Sequence, residues 1–445
     1  MNSRQRVIAA LNHQEPDRIP IDLGSHASST IAALAYMKLR RHLGLTDGLP
    51  RMYNTWGQQC DVEEAVLDRL GADVVPLHRL VTALSIPNDN GWKEWTLADD
   101  NNCLVPIGFD PVKNDEGDWE WHENGRMIAK MPGEGTHGFT LFYAPMEGEP
   151  TRPKIDKLLT STNNNFISRI TMSDREEKYL AAEAKRLYAS TERAILFQFG
   201  GTVLENAQGI FGWDEFFVQC LQDPDLVHYF LGALTELHLD ALQRSLKDVG
   251  EHIHVIQFGD DLGAQQGPLL DPELYRRVLL PYHKKLFGFV REHHPNVHVM
   301  LHCDGAVYEL LADLIHAGMQ VFNPLQTDST GMDPARIKRE FGKDLCFWGG
   351  GCDTHGTLVR GSLSQIREDV RCRLQVLAPG GGFVFNQIHN ILPEITPERV
   401  LAMFDAACEF GTYPMKPDAP PEELEKRYVN YWSEPLTALK KKDLE

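Results

Sequence analysis

Apolar and polar positions along this chain alternate in two registers, and the change from one register to the other marks its elements. Runs with every second residue apolar predict strands, and runs with apolar residues three and four apart predict helices. From about residue 173 the two kinds follow one another regularly. Helix Ser173–Ser190 leads to strand Ala194–Phe199, which ends in Gly200-Gly201. Helices Trp213–Gln222 and Leu226–Val249 lead to strand His254–Phe258, ending Gly259-Asp260-Asp261. Helix Pro272–His293 precedes strand Val297–His302, and helix Ala306–Ala317 precedes strand Gln320–Pro324. Helix Pro334–Phe341 and strand Leu345–Trp348 follow, then helix Ser364–Leu377, strand Phe383–Asn386 and helix Pro397–Phe410. Upstream, helices Arg4–Asn12, Ser29–Leu43 and Val62–Leu70 surround short strands at Ile19–Leu23 and Asp73–Leu77.

Alternation of this kind, with short links, forces parallel pairing with the helices outside. About eight strands are expected, and closure leaves no edge strand. The fold class is therefore α/β, a (β/α)8 TIM barrel with N-terminal helices. An open doubly wound sheet is the alternative, but no GxGxxG follows an early strand. Residues 91–148 change character: Trp92, Trp95, Trp119 and Trp121 alternate with polar residues, and Glu123-Asn124-Gly125 is a turn signal. This stretch predicts an antiparallel β meander inserted into the barrel. Residues 1–445 are expected to form one barrel domain, with a charged tail at 412–445.

Length and composition agree with that picture. A chain of 445 residues, 42% of them hydrophobic, is long enough for one large barrel with insertions. The formal charge of −19 argues against nucleic acid or an anionic membrane as partner. The eight cysteines form no CxxC pair and no disulfide framework, so a reducing cytoplasm is expected. No apolar run approaches the roughly 20 residues that span a bilayer. The N-terminus predicts an amphipathic helix, with Val7, Ala10 and Leu11 inward, and not a signal peptide.

The candidate chemistry lies at strand ends. In Val297–Gly305 the period of two puts His302 and Asp304 on one face and Cys303 on the other. In a parallel barrel the carboxyl ends carry the active site. Reading those ends alone collects Asp73, Asp260, Asp261, His302, Asp304, Asn323, Gln326, Asp353 and His389. Two chemistries fit. In the first, His302, Asp304 and His389 bind a divalent metal, with zinc favoured and iron(II) accepting the same ligands. Such a metal lowers the pKa of a bound thiol or water. In the second, no metal is involved; Asp260 or Asp261 and His389 serve as catalytic electrostatic and acid/base groups on a substrate that loses CO2. Asp73, Asn323, Gln326 and Asp353 are expected to bind substrate. Gly349-Gly350-Gly351 is no P-loop, because no Lys-Ser or Lys-Thr follows.

Several stretches together resemble the uroporphyrinogen decarboxylase superfamily, which includes zinc-dependent methylcobamide:thiol methyltransferases. They are Arg4–Leu11 with Pro16–Pro20, Leu70–Asp73, Asp260–Gly263, His302–Gly305, Phe322–Gln326, Trp348–Gly350, Gly380–Phe383 and His389–Ile391 with Thr396–Glu398. The resemblance implies a TIM barrel with its pocket at the carboxyl end, and a homodimer. The decarboxylases are expected to carry an arginine-rich segment where this chain reads Leu23-Gly24-Ser25-His26-Ala27-Ser28. His389 falls where they carry a histidine. The methyltransferases are expected to bind zinc through His-x-Cys and a later Cys. Here His302 matches, Asp304 stands for the first Cys, and His389 lies near the second; Cys303 and Cys352 are neighbouring thiols. The resemblance thus implies transfer of a methyl group from a corrinoid or small methylated donor to a thiol or similar acceptor, with decarboxylation of a carboxylated substrate as the alternative. No organic cofactor is expected to be tightly bound. The chain contains no Asp-x-His-x-x-Gly cobalamin signature, so a corrinoid would arrive on a carrier protein.

Overall fold

The computed structural model describes residues 1–81, 83–134, 138–146, 148–161, 165–420 and 423. Helix α1 (Ser3–Leu11) opens the chain. Its first turn is held by a reciprocal cap, in which Asn2 Oδ1 accepts from Gln5 N and Gln5 Oε1 accepts from Asn2 N. Seven parallel strands then form one curled sheet in sequential order: β1 (Val74–Leu77), β2 (Ala194–Gly200), β3 (Val255–Gly259), β4 (His298–His302), β5 (Val321–Asn323), β6 (Cys346–Trp348) and β7 (Phe383–Val384).

The eighth position is filled by the short stretch around Ile21, which is expected from its apolar–polar alternation. Phe385 N donates to Pro20 O and Asp22 N to Phe385 O, while Asp73 N donates to Ile21 O. Ile21 thus bridges the two edges of the curled sheet, and the barrel is closed by backbone hydrogen bonds. Alternate residues of the strands point to the axis. Val74, Leu196, Val255, Met300, Val321, Cys346 and Val384 pack there. Helix α1 plugs the amino end with Val7, Ala10 and Leu11, each buried. Removing a side chain of Leu or Val size from water contributes about 1.5–3 kcal/mol, so the plug is a substantial part of the barrel's stability.

The inserted stretch is antiparallel, as its tryptophans suggest, but it is split. Trp92–Thr96 pairs with Asn102–Pro106, and Val112–Lys113, Trp119–Glu123, Arg126–Met131 and Thr140–Leu141 form a separate four-stranded sheet. Trp95 and Trp119 meet across the two sheets with ring centroids 4.9 Å apart, so these tryptophans are packing residues. The helix expected over Pro272–His293 is two, Pro272–Val278 and Leu280–His293; Pro281 has no N–H and suits only a first turn. The helix expected over Ser29–Leu43 begins later, at Ala33, because Ile31–Ala32 pairs with Gln59–Cys60. Of the tail at 412–445, all beyond residue 420 except 423 lies outside the described residues. Among the described residues no helix is long and apolar enough to cross a membrane.

Candidate active site

The inward register that places Met300 on the axis carries on two and four residues later. It turns His302 and Asp304 into the mouth at the carboxyl end. Cys303 faces the other way; its sulfur accepts from Leu262 N, and burial pushes its thiol pKa well up. Cys352 is likewise buried and raised. Neither thiol replaces a member of the His302–Asp304 pair.

His389 reaches the same mouth from the loop after β7. That loop is tied to the N-terminal segment: Asn386 Nδ2 donates to Asp22 O, Gln387 Nε2 to Ser29 O, and Ile391 N to Thr30 O. The result is a triad. Asp304 Oδ2 lies 3.5 Å from His389 Nε2 and 3.7 Å from His302 Nε2. One ligand atom from each residue can be chosen so that all lie within 4.8 Å of one another.

Asn323 orients the first imidazole. Its Oδ1 lies 2.8 Å from His302 Nδ1, and its Nδ2 donates to Trp348 O at 2.7 Å. The amide's orientation makes Nδ1 the protonated nitrogen and leaves the Nε2 lone pair facing Asp304. Ser28 Oγ lies 3.0 Å from Nε2 and is placed to donate to it. Burial pulls the His302 pKa down, but Asp304, Asp261 and the bond to Asn323 outweigh it, and the net direction is up. His389 moves down, through burial opposed by Asp304.

These residues fit a divalent cation. Ligands about 2.1 Å from a tetrahedral ion stand about 3.4 Å apart, close to the two separations to Asp304. Among the described residues Asp304 Oδ1 is buried without a hydrogen-bond partner, although a buried carboxylate oxygen ordinarily has one. The His302 imidazole, turned from behind by its hydrogen bond to Asn323, is oriented as metal-binding histidines are. Asn323→Ala is expected to weaken metal affinity about 10–100-fold while leaving the fold intact, as chelator competition would measure.

The other strand-end residues have different positions. Asp73 is at the amino end of β1, not the carboxyl end, because it precedes the first ladder pair, Val74 with Ala194. It is fully buried and accepts from Arg6 Nη1, Arg18 Nη1 and Ile21 N at 2.7–2.9 Å. It braces the closure of the barrel at the end away from the mouth. Asp260 does end β3, but its carboxylate turns away from the mouth. It accepts from Val203 N, Leu204 N and Glu205 N, capping helix α2 (Leu204–Phe211), and from His283 Nε2 at 2.8 Å. Both oxygens are thereby used, and an anion there suits the helix N-terminus. Asp260 is a positioning residue.

Asn323 and Gln326 are also supports: Asn323 is buried behind His302, and Gln326 Oε1 accepts from Gly305 N at 2.7 Å, holding the turn after Asp304. Asp353 belongs to a neighbouring group with Asp328 and His355, in which His355 Nδ1 lies 2.6 Å from Asp328 Oδ2. Asp353 Oδ1 accepts from His355 N, and its own N–H donates to Asp369, the partner of buried Arg373. Asp261 remains in the mouth. Its Oδ1 accepts from Asp304 N at 2.9 Å and stands 3.9 Å from His302 Nε2; burial raises its pKa.

Three further groups at the site escape the strand-end reading. Ser28 and His26 come from the N-terminal segment. The His26 ring is buried 6.1 Å from that of His302, neither nitrogen is hydrogen-bonded among the described residues, and burial together with His302 and His389 drives its pKa down. Glu205 lies in the first turn of α2, just past the Gly200-Gly201 end of β2. The rule that polar groups after a strand's carboxyl end face the pocket would have found it. A cleft of about 280 Å³ opens between the ends of β1, β2 and β3, lined by Tyr53, His78, Arg79, Gln198, Phe199 and Gln257 among others.

The family model described as uroporphyrinogen decarboxylase (URO-D) matches residues 138–410. Among curated proteins, the uroporphyrinogen decarboxylase of Chloroherpeton thalassium is 28% identical over 188 residues, 41% of this chain and 48% of that one. That of Trichodesmium erythraeum is 26% identical over 192 residues, 42% and 49% of the two chains. The chain thus spans about half the length of the curated relatives it matches. A methyltransferase from Methanosarcina mazei shares the fold, with a TM-score of 0.55 at 16% identity, over 92% of this chain and 99% of that one.

Proposed function

Because the chain belongs to the uroporphyrinogen decarboxylase family, we propose that it is a methyl-transferring enzyme that works with a divalent metal, zinc by preference. The observation that carries this reading is the triad: two imidazole Nε2 atoms facing one carboxylate oxygen at 3.5 and 3.7 Å, with a second carboxylate oxygen buried and without a hydrogen-bond partner among the described residues. His302, Asp304 and His389 would hold the ion, which when bound supplies Lewis acidity and lowers the pKa of an acceptor thiol.

The protein's own residues prepare that site. Asn323 keeps the His302 lone pair directed at Asp304. The backbone of Asp304 is fixed by Asp261 and that of Gly305 by Gln326. The methyl group comes from a small methylated compound or from a methylated corrinoid on a carrier protein. The acceptor is a thiol or a similar nucleophile. The protein works as a homodimer.

Decarboxylation is the second reading, favoured by the curated relatives and by Asp261 and His389 standing in one mouth. Against it, Leu23–Ser28 supplies no arginine for a many-carboxylate substrate, and the segment instead brings Ser28 onto His302. Metal content decides between them. Protein purified without added metal is expected to carry about one equivalent by mass spectrometry of the elements; a protein free of bound metal that releases CO2 from a carboxylated tetrapyrrole would overturn the methyl-transfer reading.

A further inference from the structure

His26 stands beside the triad with its hydrogen-bonding capacity unused. The residue is only 1% exposed, and among the described residues neither ring nitrogen has a hydrogen-bond partner. A buried polar group left in that state costs stability, and folded proteins hold few of them. The turn that carries the ring is itself complete. His26 N donates to Ser29 Oγ, and His26 O accepts from Ser29 N. The unmet need is therefore confined to the imidazole.

The ring's neighbours belong to the triad. Ser28, two residues on, is placed to donate to His302 Nε2. The His26 ring centroid lies 6.1 Å from that of His302, and the His389 ring lies 6.0 Å from the same point. His26 is thus about as near to His302 as His302's fellow ligand is. The titratable groups whose charge reaches it are His302 and His389. Yet His26 is not among the residues whose atoms are close enough together to share an ion, which are His302, Asp304 and His389. The imidazole borders the site without belonging to the ligand set.

We propose that His26 is a binding residue for the methyl acceptor, its imidazole N–H donating a hydrogen bond to the thiolate sulfur held at the triad. The inference rests on the methyl-transfer reading and adds a residue to it. A neutral imidazole offers one donor and one acceptor. An anionic sulfur is the better partner for the donor, because a hydrogen bond to an ionised group is about twice as strong as one between neutral groups. The thiol's own proton leaves to solvent when the thiolate forms. Once the sulfur has gained a methyl group it is a neutral thioether and only a weak acceptor. The same contact therefore holds the acceptor and lets go of the product.

The test uses the full chain loaded with cobalt(II), with 2-mercaptoethanol and its thioether, 2-(methylthio)ethanol, as probes. Wild type is expected to develop a saturable sulfur-to-cobalt absorption band with the thiol. His26→Leu should weaken thiol binding about 10–100-fold, the usual worth of a hydrogen bond to a charged group. It should leave cobalt affinity, measured by chelator competition, and the weak binding of the thioether unchanged. His26→Gln, which keeps an N–H, should recover part of the loss. In metal-free protein His26→Leu should hold or raise the unfolding midpoint, because an apolar side chain replaces an unmet polar one. Unchanged thiol affinity in His26→Leu, with or without a fall in the midpoint, would overturn the proposal. So would an equal loss of thiol and thioether binding, or a loss of cobalt affinity, which would make His26 a metal ligand. Each of these leaves methyl transfer standing. A wild type that takes up no cobalt, or that shows no thiol-dependent band, would overturn both.

Discussion

Replacing His302 with alanine is expected, on the metal-dependent methyl transfer proposed above, to abolish metal binding and lower that transfer by more than about 10³-fold. Removing a residue that merely orients a metal ligand costs about 10–100-fold, and loss of the ligand itself must exceed that. His302 is the best-held of the three donors: Asn323 fixes its tautomer, and the strand register of β4 fixes its direction. Its loss leaves Asp304 and His389 as a two-donor site. The side chain lies in the mouth and not in the packed core, so circular dichroism and the unfolding midpoint should change little. Elemental analysis is the decisive measurement. An equivalent of metal retained by His302→Ala would remove the triad as the binding site.

The second large effect is on stability and involves a residue that chemistry-first reading places in the substrate pocket. Asp73→Ala is expected to cost about 3–5 kcal/mol in denaturant unfolding, the usual penalty for taking one partner from a buried ion pair. The carboxylate is fully buried and bonded to two arginines, Arg6 and Arg18, and to the Ile21 N–H. Removing it leaves Arg18 with its backbone acceptors, Ile19 O and Gly71 O, and loosens the seam at which Ile21 closes the barrel. Arg6 keeps a second partner in Asp17, whose pKa is held well below the carboxylate range chiefly by that bond, so the damage centres on Arg18 and Ile21. A substrate-binding role makes the opposite prediction: an unchanged unfolding curve and a raised KM.

Asp73 and Asp260 show where reading along the chain stops. Both are acidic, and both lie beside a predicted strand, so both qualify as pocket residues by type and place. One is on the wrong end of its strand. The other is on the right end but turned backward onto three backbone N–H groups of α2. Glu205, the group that this turning presents to the mouth, gives no signal in its own neighbourhood beyond following the glycines that end β2. Asn323 and Gln326 were legible as strand-end polar groups, but which side chains they would hold was not.

What the linear order of residues determined was local. Apolar periods of two and near four set out the strands and helices, the short links required parallel pairing, and the same period of two put His302 and Asp304 on one face with Cys303 behind them. The tertiary structure decided which partners those faces met. Closure through Ile21 and the anchoring of the loop after β7 brought His389, Ser28 and His26 to His302, and the start of α2 claimed Asp260. The physical reason is that backbone geometry repeats over a few residues and so fixes the direction of a side chain. Which hydrogen-bond donors it meets depends on segments tens to hundreds of residues away, and these are brought near only when the ring of strands is complete.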